Sequence, residues 1–265
     1  MSHLILGENV AFVSASRLSS KGFNHILPAD CLVEMKYASH DTNSRVFPAM
    51  LYENSLLGSD PRPNFGKAAT EIFGGKVKPS DWTELNEALF AFLNSTHYRI
   101  RFIDEIKNDF PGIPPLTDSV LRRHLAKLGK RLIRAQLLKT ELAGSVYPFN
   151  GKVGEPIKVP KMEGNRIWIT DSGYFDGISM KVFEFNLAGY QVCKNWVSAG
   201  NKSGIQRKGT FLTDRGVESY RHVLFAIQET IEIRGLIDQT LTKLLGWESP
   251  ISSLSPSPLS PTPSV

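Results

Sequence analysis

Apolar positions along this chain change their period twice. From Glu8 to Tyr52 they fall in short runs, NVAFVSA, FNHIL, CLVEMKYA and RVFPAMLY, separated by the polar turns SRLSSKG, PAD and SHDTNS. Short apolar runs bounded by turn residues predict strands, here an antiparallel sheet. Pro28 and Pro48 lack the N–H that a ladder needs and are placed at strand ends or edges. From Ser80 and Asp81 the spacing becomes helical: Trp82, Leu85, Leu89, Phe92 and Leu93 recur on one face until Asn94 and Ser95. Thr96 is the expected cap of a second helix, with Tyr98, Phe102 and Ile106 on one face and a stop at Pro111. A third helix is predicted from Asp118 to about Leu142, burying Leu121, Leu125, Leu128, Leu132 and Ala135 and turning Arg123, Lys127, Lys130, Arg131 and Arg134 to the opposite arc.

After Gly144 the strand pattern returns in PIKVP, NRIWIT and MKVFEFNL, with Gly164-Asn165 and Asp176-Gly177 as turns. The stretch Val182 to Trp196, VFEFNLAGYQVCKNW, reads as a strand, a glycine elbow at Gly189 and a short helix carrying Trp196, followed by the basic loop VSAGNKSGIQRKG. A last helix is predicted from Thr213, with Val217, Tyr220, Leu224, Ile227 and Ile231 as its buried stripe. The expected fold class is α+β: a β-rich N-terminal lobe, central helices, a second β-sheet portion and C-terminal helices. There is no internal repeat.

Composition narrows the picture. With 41% hydrophobic and 22% charged residues in 265, a substantial core is expected. No apolar run approaches the roughly 20 residues of a membrane span, and Met1 to Gly7 is too short for a secretory signal, so a cytoplasmic protein is expected. Cys31 and Cys193 form no CxxC pair and read as small core side chains. Residues 247–265 are nearly all Ser, Pro, Leu and Thr and are expected to form a disordered tail, leaving 1–246 as the folded unit. The tail carries one Glu and no base, so without it the net charge rises from +5 to +6. Thr117 to Leu142 has seven bases and two acids, and Tyr190 to Gly209 has four bases and no acid, a concentration that suits a polyanionic partner.

Several blocks together resemble a known family. GFNHILPADCLVEMK, the RPNF turn at Arg62 to Phe65, the run from Leu93 to Asp118, the Leu-Ala-x-Leu-Gly helix at Leu125 to Gly129, the Gly-Tyr-Gln turn with its Trp helix, and the Glu-Thr-Ile helix at Glu229 to Ile231 keep their order from about Asn9 to Gln239. In this the chain resembles the C-terminal specificity domain of type ISP restriction-modification enzymes of the LlaBIII kind. The resemblance implies a target-recognition-domain-like fold over 1–246 and sequence-specific recognition of duplex DNA without catalysis by this chain. In full-length members such a domain follows a nuclease, a helicase-like motor and an adenine methyltransferase. S-adenosylmethionine, ATP and Mg are therefore implied only for a separately encoded or lost partner polypeptide, and no cofactor for this chain. The chain departs from the family after Trp196, where SAGNKSGIQRKGTFL replaces a compact Lys-Asp-Arg-Lys-Gly turn.

The catalytic motifs of those missing domains do not occur. No GxxxxGK[ST] string is present to wrap phosphates, which excludes ATP-driven translocation by this chain. EIFGGK and PRPNF are the nearest strings to a methyltransferase cofactor turn and its Asn-Pro-Pro-Tyr motif, and they satisfy neither. Asp30, Glu34 and Lys36 imitate the metal-binding elements of a restriction nuclease, but their closeness along one short strand leaves little room to converge on one ion. His3, His25, His40, His97, His124 and His222 are scattered, with no HExxH or GxSxG.

What remains is recognition, in which cationic side chains neutralise phosphates and Arg, Asn, Gln and Lys read base edges. The candidate DNA-binding residues are Lys194 and Asn195 on the Trp196 helix and Asn201, Lys202, Gln206, Arg207 and Lys208 in the loop beyond. Arg62 and Asn64 in the proline-constrained turn, and Lys21, Asn24 and His25 beside the first hairpin, complete the set. Arg123, Lys127, Lys130 and Arg134 are candidate phosphate contacts. The alternation of Phe183, Phe185, Tyr190 and Trp196 reads as core. Two other readings stay open at the level of sequence: a degenerate remnant or protein-interaction module without DNA binding, and a small metal-dependent nuclease using Asp30, Glu34 and Lys36.

Overall fold

The computed structural model describes residues 2–15, 26–39, 42–52, 61–72, 78–108, 112, 116–142, 146–198 and 211–247. The predicted N-terminal sheet is present: β1 (Ala11–Ala15) lies between β2 (Ile26–Ala29) and β3 (Ser44–Pro48), both antiparallel to it. All five residues of β1 are buried. Pro28 faces Phe12 from one outer strand and Pro48 faces Ala11 from the other, the positions expected of residues that cannot donate to a ladder. A short hairpin of β4 (Met50–Leu51) and β5 (Arg62–Pro63) follows, then helix α1 (Lys67–Ile72). CLVEMKYA is not a strand: it runs irregularly to Glu34 and turns over Met35 to Ala38, with Leu32 and Met35 exposed. The Tyr37 hydroxyl donates to the Pro28 carbonyl at 3.1 Å and holds this turn against β2. Cys31, expected in the core, is exposed.

Four helices make the centre: α2 (Pro79–Asn94), α3 (Thr96–Arg101), α4 (Ile103–Asn108) and α5 (Ser119–Gln136). The Asp81 carboxylate accepts from the Lys78 backbone N–H at 2.8 Å, and Pro79 occupies the first turn, where its missing N–H costs nothing. Ser95, one residue before the expected cap, accepts from the Tyr98 N–H at 3.1 Å, and the chain breaks at Phe102 so that two short helices replace one. Asp118 caps α5 by accepting from Val120 and Leu121 at 2.7 and 3.1 Å, a contact worth about 1 kcal/mol. The helix ends at Gln136 rather than near Leu142, because Leu138 turns left-handed at φ 55°.

The second half opens with β6 (Phe149–Asn150), β7 (Lys161–Glu163), β8 (Arg166–Trp168) and β9 (Tyr174–Phe175), which form one antiparallel sheet in the order β6-β9-β8-β7. PIKVP forms no strand: prolines at both its ends remove donors, and it makes a bridge from Pro156 to Phe211 and a backbone bond from the Lys158 N–H to the Ile169 carbonyl at 2.7 Å. The predicted strand MKVFEFNL is instead split. Ser179 accepts from the Val182 N–H and winds Met180–Phe183 into helix α6, burying Val182 and Phe183 together where a strand would put them on opposite faces. Only β10 (Asn186–Leu187) is extended, and it pairs with β11 (Tyr190–Gln191). The elbow at Gly189 is present, with φ 79°, a left-handed backbone that glycine adopts at no steric cost. Helix α7 (Val192–Ser198) follows directly.

Helix α8 (Asp214–Leu245), capped by Thr213 as predicted, has 32 residues and is therefore about 48 Å long. Its first half packs Tyr220, Leu224 and Ile227 against β8, β9, α6 and α7, while Ile233, Ile237 and Leu241 enter the core of α2, α3 and α5. One helix thus spans two cores. A third small cluster joins Val13, Leu27 and Ala29 of the first sheet to Ala188 and its hairpin. Trp247, assigned to the tail from sequence, packs its ring 5.7 Å from Phe92 and 6.1 Å from Phe102, with the Arg101 guanidinium 5.3 Å over it. The rest of the Ser/Pro-rich stretch lies outside the described residues.

Candidate nucleic-acid interface

The predicted buried stripe of α5 presses against α2 and leaves Arg123, Lys127, Lys130 and Arg134 exposed. These four span 12 residues, eleven helical steps or about 16 Å along the axis, on one arc. Not every base of the run belongs to it. Arg122, next to Arg123, is 8% exposed; its Nε donates to Glu84 at 2.8 Å and its Nη1 to the Leu116 carbonyl at 3.0 Å, so it holds the entry of α5 onto α2. Arg131 lies 3.5 Å from Glu229 and joins α5 to α8. Arg134 also donates to the Lys139 carbonyl at 2.9 Å.

On α7, Asn195 is exposed, and the half-buried Lys194 ammonium sits 5.3 Å from the Phe183 ring centre. Beneath them Phe183 is buried in the core, while Phe185, Tyr190 and Trp196 are half-buried against the cores' edges: Trp196 lies 4.7 Å from Tyr220, whose hydroxyl donates to the Cys193 carbonyl at 3.1 Å. Burial pushes the Cys193 thiol up to about 12 and raises the Tyr220 phenol further. Both groups therefore stay protonated near neutrality.

Arg62 and Asn64 are both exposed, but the Asn64 amide donates to the Pro48 carbonyl at 2.9 Å and its backbone N–H to Ala49 at 2.9 Å. Part of its donor capacity therefore holds the turn. The α5 arc forms one group, Arg62 and Asn64 a second, Lys194 and Asn195 a third. Asn201, Lys202, Gln206, Arg207, Lys208, Lys21, Asn24 and His25 lie outside the described residues. The nuclease-like elements do not assemble: Asp30 is paired with the Lys139 ammonium at 2.5 Å, and Glu34 is exposed on its turn. Among the described residues no three His, Cys, Asp or Glu side chains cluster for a metal, and no helix is long and apolar enough to cross a membrane.

One polar cluster went unread in the sequence. Asp238 on α8 accepts from the Ser95 hydroxyl at 2.7 Å and the Thr96 N–H at 2.8 Å, capping α3. Arg234, one turn earlier, donates to Asn94 at 2.9 Å and lies 5.5 Å from the Phe185 ring. Burial, then the nearby Arg99 charge, lowers the Arg234 guanidinium against the opposing pull of Asp238, and burial lowers Arg99 to about 10. A signal was available: positions 220, 224, 227, 231, 234, 238 and 241 continue one helical stripe, so Arg234 and Asp238 fall where apolar residues are expected. This cluster ties α8 to the junction of α2 and α3 and, through Arg234, reaches the Phe185 ring between α6 and β10.

Comparison with known proteins agrees with this architecture. The profile described as "Type ISP C-terminal specificity domain" matches residues 1–236. No curated protein matches the chain in sequence. Among solved structures, the fold is similar to one in a DrdV-DNA complex, with TM-score 0.63, 15% identity and 88% of this chain covered. It is also similar to the ATP-dependent type ISP restriction-modification enzyme LlaBIII bound to DNA, with TM-score 0.62, 15% identity and 90% covered. A third similar structure is a nuclease-deletion mutant of the type ISP enzyme LlaGI in complex with a DNA substrate mimic, with TM-score 0.56, 15% identity and 90% covered. The match takes up 24%, 16% and 21% of those three chains, so this chain spans a quarter or less of each.

Proposed function

The chain belongs to the type ISP C-terminal specificity domain family, and from that premise we propose that it is a DNA target-recognition module that binds duplex DNA and directs catalysis performed elsewhere. The observation that carries the reading beyond family membership is the exposed arc of Arg123, Lys127, Lys130 and Arg134, on a helix held to α2 by the buried Arg122 and its half-buried partner Glu84. Cations spaced along one rigid helix neutralise successive phosphates and fix register, while sequence choice comes from groups that reach base edges. Asn195 and Lys194 on α7, Arg62 on β5 of the β4–β5 hairpin, and the polar residues between Asn201 and Lys208 are the proposed readers. The residues numbered 21, 24 and 25 in the first hairpin connection are secondary ones.

In this reading the chain supplies no catalytic group and holds no cofactor of its own. A partner polypeptide would supply methyl transfer, translocation and cleavage, with their S-adenosylmethionine, ATP and Mg, in the cytoplasm where its DNA lies. The test is binding of the purified chain to random duplex DNA over a range of salt. Four phosphate contacts give an expected slope of log K against log salt near −3.6, from about −0.9 per contact. Absence of salt-sensitive binding sinks the reading and favours a protein-interaction module.

A further inference from the structure

A hollow of about 380 Å³ opens between the chain leading into β1, the β4–β5 hairpin, α2 and the C-terminal half of α5. Its walls are apolar: Val10, Met50, Ile133 and Leu137, with the rings of Phe65 and Trp82 stacked 4.7 Å apart at an interplanar angle of 20°. At its edge stand Lys130 and Arg134, two of the four exposed cations of the α5 arc. Lys139 lines it too but is paired with Asp30, and the acids present are Glu8 and Glu87. Asn9 is spent on structure, donating to the His3 and Met50 carbonyls and accepting from the Met50 N–H. Asn86 and Glu87 differ: among the described residues neither side chain has a hydrogen-bond partner, and both line the hollow.

We propose that this hollow binds one nucleotide, its base against the Phe65–Trp82 stack and the edges of Asn86 and Glu87, its phosphate on Lys130 and Arg134. The combination selects the ligand. An aliphatic molecule would leave the cations and the amide unused, and an acidic peptide would leave the aromatic wall unused, whereas a nucleotide joins a flat π-face, a hydrogen-bonding edge and an anion within one such volume. A carboxamide beside a carboxyl is also the pairing chemistry for the exocyclic amines of adenine and cytosine. The second hollow, of about 370 Å³, shares Ala49, Phe65 and Asn86 with the first, so these three residues border both. The proposal rests on the duplex-recognition reading for one source of the nucleotide, a base swung out of the helix. A free nucleotide has the same chemistry.

The experiment compares three probes on the full chain: a fully paired duplex, the same duplex with one unpaired adenosine, and deoxyadenosine monophosphate. Binding of the duplexes is read by anisotropy and of the monophosphate by tryptophan quenching. The expected result is affinity for the unpaired duplex about ten-fold or more above the paired one, from stacking of one base on an aromatic wall. Trp82→Leu should abolish that preference and leave paired-duplex affinity unchanged. Asn86→Ala, at a half-buried position, should weaken it several-fold and serves if circular dichroism shows the first variant misfolded. Quenching by the monophosphate without a preference between duplexes assigns the free nucleotide as the source. Equal duplex affinities with no quenching overturn the nucleotide site while duplex recognition stands. Quenching lost in Asn86→Ala, without any duplex binding, supports the site and sinks duplex recognition.

Discussion

Gly129 sits in the middle of α5, where glycine is costly, and replacing it with alanine should nevertheless destabilise the protein. Alanine is favoured over glycine in a helix interior by about 1 kcal/mol, so propensity alone predicts a gain. The structure predicts the opposite. A Cβ on residue 129 would lie 1.8 Å from the Glu87 carbonyl oxygen of α2 and 2.7 Å from its carbon. Reaching the 3.0 Å below which such contacts essentially do not occur requires the two helices to part by at least about 1.2 Å. The obstructing atoms are backbone, so no side chain can swing away. A gap of that size forfeits a quarter to a half of the dispersion energy of the contacts it opens, and these include the packing of Leu85, Leu89, Leu125 and Leu132 in the main core. Overpacking typically costs about 1–3 kcal/mol and sometimes more. The upper end applies here, and after the propensity gain the expected net loss is about 2 kcal/mol or more. Urea denaturation followed by circular dichroism should show the midpoint fall by about 1 M at an m-value of about 2 kcal/mol/M. Gly235→Ala on α8 is the control: nothing lies within 4 Å of its added Cβ, and it should gain about 0.5–1 kcal/mol. A Gly129→Ala protein as stable as, or more stable than, the parent would refute the close approach of α2 and α5.

Three further outcomes are expected. Asp238→Asn removes the carboxylate charge that opposes the half-buried Arg99 and the buried Arg234 guanidiniums and weakens the cap on α3, so a loss of about 3 kcal/mol in urea stability is expected. Burial raises the Glu87 carboxyl despite the pull of Lys130; the folded chain then keeps this proton to a higher pH than the unfolded chain, and stability falls as pH rises from the ordinary carboxyl range through the raised one. Glu87→Gln should flatten that slope in denaturation midpoints measured across acidic pH, and an unchanged slope would assign it to other groups. Replacing Lys127, or Arg123, with Gln should lower duplex affinity similarly on every sequence and reduce the salt slope by about one; an effect confined to one DNA sequence would move that residue from phosphate contact to base reading.

What could be read from sequence is what neighbours along the chain decide. Asp118 and Thr213 begin their helices because a side-chain oxygen meets an amide two or three residues on. The stripes of α2, α5 and α8, and the cationic arc opposite one of them, follow from a 3.6-residue period. The proline positions in the outer strands and the elbow at Gly189 are each set by one residue's own backbone. Where local alternatives were close, the sequence misled: the alternation in MKVFEFNL suggests a strand, but the Ser179 cap turns Met180–Phe183 into a helix.

Tertiary structure decided the rest, because it depends on residues far apart in sequence. Arg122 and Arg123 are adjacent and chemically identical, yet one is buried against Glu84 while the other is left to solvent, a difference created by where α2 crosses α5. That crossing also gives Gly129 its purpose and aligns Phe65, Trp82, Lys130 and Arg134 around one hollow. Arg234 and Asp238 interrupt an apolar stripe that could be counted in the sequence, but their partners on α2 and α3 lie about 140 residues away. A linear pattern specifies which face of a helix is apolar; only packing specifies which side chain meets it, and a charge is tolerated there only where that partner satisfies it.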